Sequence, residues 1–244
     1  MPTIQELKKI ILLSVRKERE VAYAKDLAGV LDLPIAIYPG STHLPTLTTE
    51  CQTFVEIQKQ RLQVAIPGIE IIDSILNQPE GILVSNSVAL KESNAPSKKI
   101  FFVLAPHDET KFDEHNYKKI LLPFGRLDTT LKALPIATAI AQKTSSTLVF
   151  FHTTRPKQGL KPETWHEHMV PNARETENFL REFCEKQNIP YEMHITSVFP
   201  RVIAEGIAQS ALDNDCNLIV MSIADDVVFG SHTVQVLNYS PTQL

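Results

Sequence analysis

The sequence predicts an α/β fold made of two tandem open, mostly parallel sheets flanked by helices. Three observations carry that prediction. Short runs of Ile, Val, Leu and Phe alternate with longer stretches of helical period, the pattern of parallel strands joined by crossover helices. The programme is stated twice: Lys8-Lys9-Ile10-Ile11-Leu12-Leu13-Ser14 opens the first half and Lys118-Lys119-Ile120-Leu121-Leu122-Pro123-Phe124 opens the second. Internal repetition of this kind changes the expected domain count. Between the two runs lies a polar, charged, aperiodic segment at 107–116. The expected organisation is therefore a first domain at 1–106, a linker at 107–116 and a second domain at 117–244.

Each element follows from its local pattern. In the first half, 10–15 reads as a buried strand. Residues 18–31 form a helix with Val21, Ala24, Leu27, Ala28 and Leu31 on one face. A strand at 33–38 is stopped by Pro39-Gly40. A helix at 49–62 carries Phe54, Ile57 and Leu62, and a short strand at 63–66 ends at Pro67-Gly68. A short helix at 69–76 and strands at 81–88 and 99–105 complete the half.

The second half repeats the order. A strand at 120–124 precedes a helix at 129–143 with Leu131, Leu134, Ala137 and Ala141 inward. After a strand at 147–152 comes a long loop with Pro156, Gly159, Pro162 and Pro171. Asn172 is expected to cap a helix reaching residue 187, because its short side chain can accept from an exposed N–H at the helix start. A strand at 191–198, a helix at 201–213, a strand at 218–223 and a helix at 230–238 follow.

Bulk composition excludes several function classes. A chain of 244 residues with 43% hydrophobic and 21% charged residues has the make-up of a globular protein. Its net charge of -4 argues against a nucleic-acid binder, which would concentrate Lys and Arg. No apolar run approaches the ~20 residues that span a bilayer, and the N-terminal segment lacks the apolar core of a signal peptide. A cytoplasmic protein without direct membrane insertion is expected. Cys51, Cys184 and Cys216 have neither metal nor redox spacing. Cys184 and Cys216 fall at apolar positions of helical stretches and read as buried, inert thiols.

The second half resembles the universal stress protein family. Members open with an apolar strand, Pro, an apolar residue and Asp-Gly-Ser, then a helix with a Lys-Ala-Leu-like run. Here the stretch is Ile120-Leu121-Leu122-Pro123-Phe124-Gly125-Arg126-Leu127-Asp128, leading into Lys132-Ala133-Leu134. The family closes on Asp-Leu-Ile-Val-Met-Gly, a glycine-rich loop, Gly-Ser and a helix. The corresponding residues are Asn217-Leu218-Ile219-Val220-Met221-Ser222, then Gly230-Ser231. The first half shares only the element order, as a degenerate copy would. The resemblance implies an adenine nucleotide α-hydrolase-like, Rossmann-like sheet in each copy. It also implies pairing through last strands, as a homo-dimer or as an internal pseudo-dimer of the two halves. The second copy's own last strand is expected to be short or missing.

Many members of that family bind ATP at the carboxyl ends of the strands, where strand order reverses. The candidate ligand-binding positions carried over are Gly125, Ser222, Gly230 and Ser231. Gly230-Ser231, at a helix start, retains the donors that favour phosphate. Gly125 stands where the family's adenosine-holding Asp would be. The loop after the fourth strand has no glycine before Gly230 and brings in Asp225 and Asp226, whose charge opposes a polyphosphate unless a cation intervenes. Those two carboxylates are the candidate metal ligands. ATP is thus disfavoured as a ligand, and no cofactor is required.

Trp165-His166-Glu167-His168, with His152 or Glu163 as a third ligand, reads as a surface loop rather than a metal site. No nucleophile elbow or comparable catalytic arrangement is present. The expected function is non-enzymatic and regulatory, through protein contacts or a small ligand. A nucleotide sensor or weak ATPase, and an accessory module of a membrane transporter, are the alternatives.

Overall fold

A computed structural model describes residues 9–13, 18–38, 70–71, 81–84, 100–104, 117–154, 171–197, 203–216 and 218–222. In chain order these form β1 (Lys9–Leu13), α1 (Glu18–Leu31), β2 (Ile35–Tyr38), β3 (Glu70–Ile71), β4 (Gly81–Val84) and β5 (Ile100–Leu104). They continue with β6 (Lys119–Pro123), α2 (Leu127–Thr144), β7 (Thr147–Thr154), α3 (Pro171–Gln187), β8 (Tyr191–Ser197), α4 (Ile203–Asp213) and β9 (Leu218–Ser222). The open, parallel, helix-flanked α/β architecture is the one expected.

The expectation of two separate sheets is corrected. Among the described residues all nine strands form one sheet, in the order β3-β2-β1-β4-β5-β9-β6-β7-β8. Every pairing is parallel except that of β5 with β9, which is antiparallel with Phe102 opposite Met221 and Val103 opposite Val220. The reason is backbone satisfaction. One side of β9 pairs with β6, and its other row of N–H and C=O groups would lie unpaired. β5 fills that row, so the two arrays meet edge to edge.

The helices tie the arrays together as well. α2 buries Ala133, Leu134 and Ile136 to Ala141 almost without interruption, which a helix covered on one side alone would not do. One of its flanks faces the sheet, and others meet α1 and α3. Leu27, Ala28, Val30 and Leu31 of α1 share one apolar cluster with Ala137, Ile140, Leu148 and Phe150. The opposite face of the sheet holds a smaller cluster, in which Ala204, Ile207 and Ala211 of α4 cover Leu121, Val149, Phe151 and Ile219.

Several local expectations need revision. Glu70 and Ile71 pair in parallel with Ala36 and Ile37 as a strand, where the sequence suggested the start of a short helix; pairing with an existing edge outweighs weak local period. α3 begins at Pro171, so Asn172 lies inside the helix instead of capping it. Proline's fixed φ and missing N–H suit the first helical position. Cys216 sits in the turn after α4, not within a helix. The elements expected at 49–62, 63–66 and 230–238, the long loop and the linker lie outside the described residues.

Candidate functional site

The carboxyl end of β6 is the natural place to look, since ligands of such sheets sit beyond strand ends at a switch in strand order. β6 lies between β9 and β7, and its chain leaves the sheet through Phe124, Gly125 and Arg126 before α2 starts. Phe124 N–H donates to Phe151 O at 2.8 Å, which extends the β6–β7 ladder by one residue.

All three carbonyls of the turn lie within hydrogen-bond reach of side chains. His152 Nδ1 lies 2.8 Å from Phe124 O. A carbonyl only accepts, so Nδ1 carries the hydrogen and Nε2 is left as the acceptor in the neutral ring. The ring also stacks obliquely on Phe124, centroids 5.0 Å apart. Burial pulls the His152 pKa below its ordinary value, against the opposing effects of the Phe124 carbonyl and the Glu177 carboxylate. Thr176 Oγ lies 2.9 Å from Gly125 O and 2.8 Å from Asn172 O, so α3 grips the turn through one hydroxyl.

Arg126 occupies the N-cap of α2 but makes no side-chain cap. Its carbonyl accepts from Thr129 Oγ and Thr130 Oγ, each at 2.9 Å. Its guanidinium turns to Asp128, with Nε–Oδ1 at 3.1 Å and Nη2–Oδ2 at 2.8 Å. Partial burial raises the Asp128 carboxyl, but the guanidinium's hydrogen bonds and charge prevail and hold it below the usual carboxylate range. Asp128, the carboxylate nearest Gly125 along the chain, is thus engaged by a cation of the same turn.

Gly125 itself has room. A Cβ placed on it meets no atom within 4 Å, and its φ is not left-handed. Nothing in the backbone requires glycine there. Behind the turn, Glu177 is 1% exposed and accepts from Arg181 Nε and Nη2 at 2.9 and 2.7 Å.

Of the other sequence candidates, Ser222 ends β9 with its backbone opposite Phe101. Gly230, Ser231, Asp225 and Asp226 lie outside the described residues, as do Trp165, His166 and His168. Among the described residues no cluster of three or more His, Cys, Asp or Glu could hold a metal. Cys184 and Cys216 are buried, and burial pushes both thiols up to about 12, as expected of inert core cysteines. Sequence reasoning missed the roles of Thr176 and the Arg126–Asp128 pair. The first is a long-range contact with no local signature; the second is a spacing of two that reads as an ordinary exposed helix start. His152 was considered only as a metal ligand, whereas its Nδ1 is committed to Phe124.

Residues 116–244, just over half of the chain, match the model of the Universal stress protein family. Among solved structures, a universal stress protein from Archaeoglobus fulgidus is similar over 98% of this chain and 96% of its own, with TM-score 0.60 and 12% identity. A putative universal stress protein from Pseudomonas aeruginosa is similar over 97% and 91%, with TM-score 0.50 and 13% identity. At these identities the likeness is one of fold. No curated protein matches the chain. Among the described residues no helix is long and apolar enough to cross a membrane.

Proposed function

Because the chain belongs to the universal stress protein family, we propose that it is a tandem regulator of that family, non-enzymatic, acting through protein contacts or a small ligand other than ATP. Gly125 carries the reading. It stands at the end of the strand that should present the adenosine-holding carboxylate, and the nearest carboxylate, Asp128, is held by Arg126. A cleft without that anchor and with Asp225-Asp226 in place of a glycine-rich loop offers a polyphosphate little. The tandem reading is supported by strand order. β3-β2-β1-β4-β5 describes one array, and read from the other end β8-β7-β6-β9 repeats its first four places.

A thermal-shift titration with ATP and AMP, with and without Mg²⁺, tests this. A ligand that binds only the native state raises the melting temperature with its concentration. The expected result is no shift for the natural protein. A Mg²⁺-dependent rise with ATP would overturn the reading in favour of a nucleotide sensor. A Cβ at Gly125 meets no atom within 4 Å, and a rise with AMP in the Gly125→Asp variant alone would identify a carboxylate there as what the site lacks.

A further inference from the structure

We propose that His152 is an acid-released latch: as a neutral ring it holds the turn at 124–126 against β7, and on taking up a proton it lets that turn go. The candidate site then has two states selected by one proton, whatever ligand it takes.

The latch is built from groups on one face of the sheet. His152 follows Leu148 and Phe150 at alternate positions of β7 and so shares their face, the one on which α2 and α3 pack. Its Nδ1–H is given to Phe124 O at 2.8 Å, and its ring lies against that of the buried Phe124. The remaining hold on the turn from another element is the Thr176 hydroxyl, 2.9 Å from Gly125 O and 2.8 Å from Asn172 O. A hydroxyl has one hydrogen and serves one of these carbonyls at a time. When Gly125 withdraws, Thr176 keeps Asn172 O, one turn back on its own helix. α3 therefore releases the turn without leaving its hydroxyl unpaired, and the histidine contact decides the state.

A proton acts on that contact through charge. Nδ1 already carries the hydrogen bonded to Phe124 O, so the added proton goes to Nε2. The resulting cation is half-buried, and burial without a counter-charge is unfavourable. Among the described residues the charge that acts on the ring is Glu177 of α3, and Glu177 is already bonded through Oε1 to both Nε and Nη2 of Arg181. One carboxylate between two cations leaves a net positive charge behind the turn. Arg126 and Asp128 of the turn pair with each other in an exposed position. β8 sets Ile195 beside His152, while its His194 stands opposite Phe151, on the other face. Burial accordingly holds the His152 pKa below its ordinary value, even with Glu177 opposing. In the released turn the ring is solvated and titrates near its ordinary value of about 6.5. Protons thus favour release below that pH and favour neither state above it.

The test uses the full-length protein. Imidazole ¹⁵N resonances are expected to show His152 neutral at pH 7.5 with its hydrogen on Nδ1. Amide exchange, divided by the intrinsic rate at each pH, then reads the latch. Phe124 N–H, bonded to Phe151 O, and Thr130 N–H, bonded to Arg126 O, report the turn, and the amides of Ala137 to Ala141 report the body of α2. From pH 6.5 down toward the folded pKa of His152, opening of the turn is expected to rise by about tenfold per pH unit, the limit for one proton, with the body of α2 unchanged. His152→Asn, which keeps a donor for Phe124 O but does not titrate, is expected to abolish that rise. A hydrogen on Nε2, a turn whose opening does not change with pH, or the same rise in His152→Asn would overturn the proposal. So would turn and α2 amides that open together, since that is loss of the whole fold and not release of a latch. The measurements on the natural protein decide the matter even if the variant does not fold.

Discussion

Leu27→Ala asks whether the two halves of the chain share one core. Leu27 lies on α1, outside the region matched to the family, and is 1% exposed. It belongs to the same apolar cluster as Leu134, Ile140 and Phe150 of the second half. Truncating a fully buried leucine removes its transfer free energy and leaves a partly relaxed cavity, together about 3 kcal/mol. For a chain of this length the urea dependence of stability is about 3 kcal/mol/M, so the midpoint should fall by about 1 M. The assay follows two signals during urea unfolding: far-ultraviolet circular dichroism for the whole chain and fluorescence of Trp165, the one tryptophan, which lies in the second half. One core requires the two curves to coincide and to move together in the variant. A Trp165 curve that stays in place while part of the dichroism moves would refute the shared core, and would mean that α1 stabilises the first half alone.

Two further outcomes follow from the site and the core. The folded-state pKa of His152 lies below its unfolded value, so below about pH 6.5 the unfolded chain binds more protons than the folded one. Its contribution is therefore intact above that pH and lost as pH falls toward the folded pKa; His152→Gln should flatten the melting temperature across that window, and an unchanged pH profile would contradict the assignment. Cys184 and Cys216, whose thiols are pushed up to about 12, should resist thiol reagents at pH 8 until the protein is unfolded; rapid labelling of either in native protein would show that the core around it opens readily.

The limits of legibility in the sequence have a physical origin. The strands at β1, β2, β4 to β9 and the helices α1 to α4 were readable because apolar period is a local property. Glu70-Ile71 was misread because two residues carry no period of their own. Asn172 was misplaced by one step because proline and asparagine both suit a helix start. Gly125 was found because it interrupts a motif. His152 and Thr176 escaped as turn-holding groups because their partners are 28 and 51 residues distant in the chain.

Residue type and spacing along the chain were enough to establish the parallel α/β class and the buried Cys184 and Cys216. Assembly in three dimensions was needed to show that the two arrays form a single sheet and that α2 is buried between neighbours from both halves. Backbone edges carry no side-chain signature. Which edge meets which is settled by the need to pair every buried N–H and C=O once the elements are assembled, and that requirement is not written in any one segment.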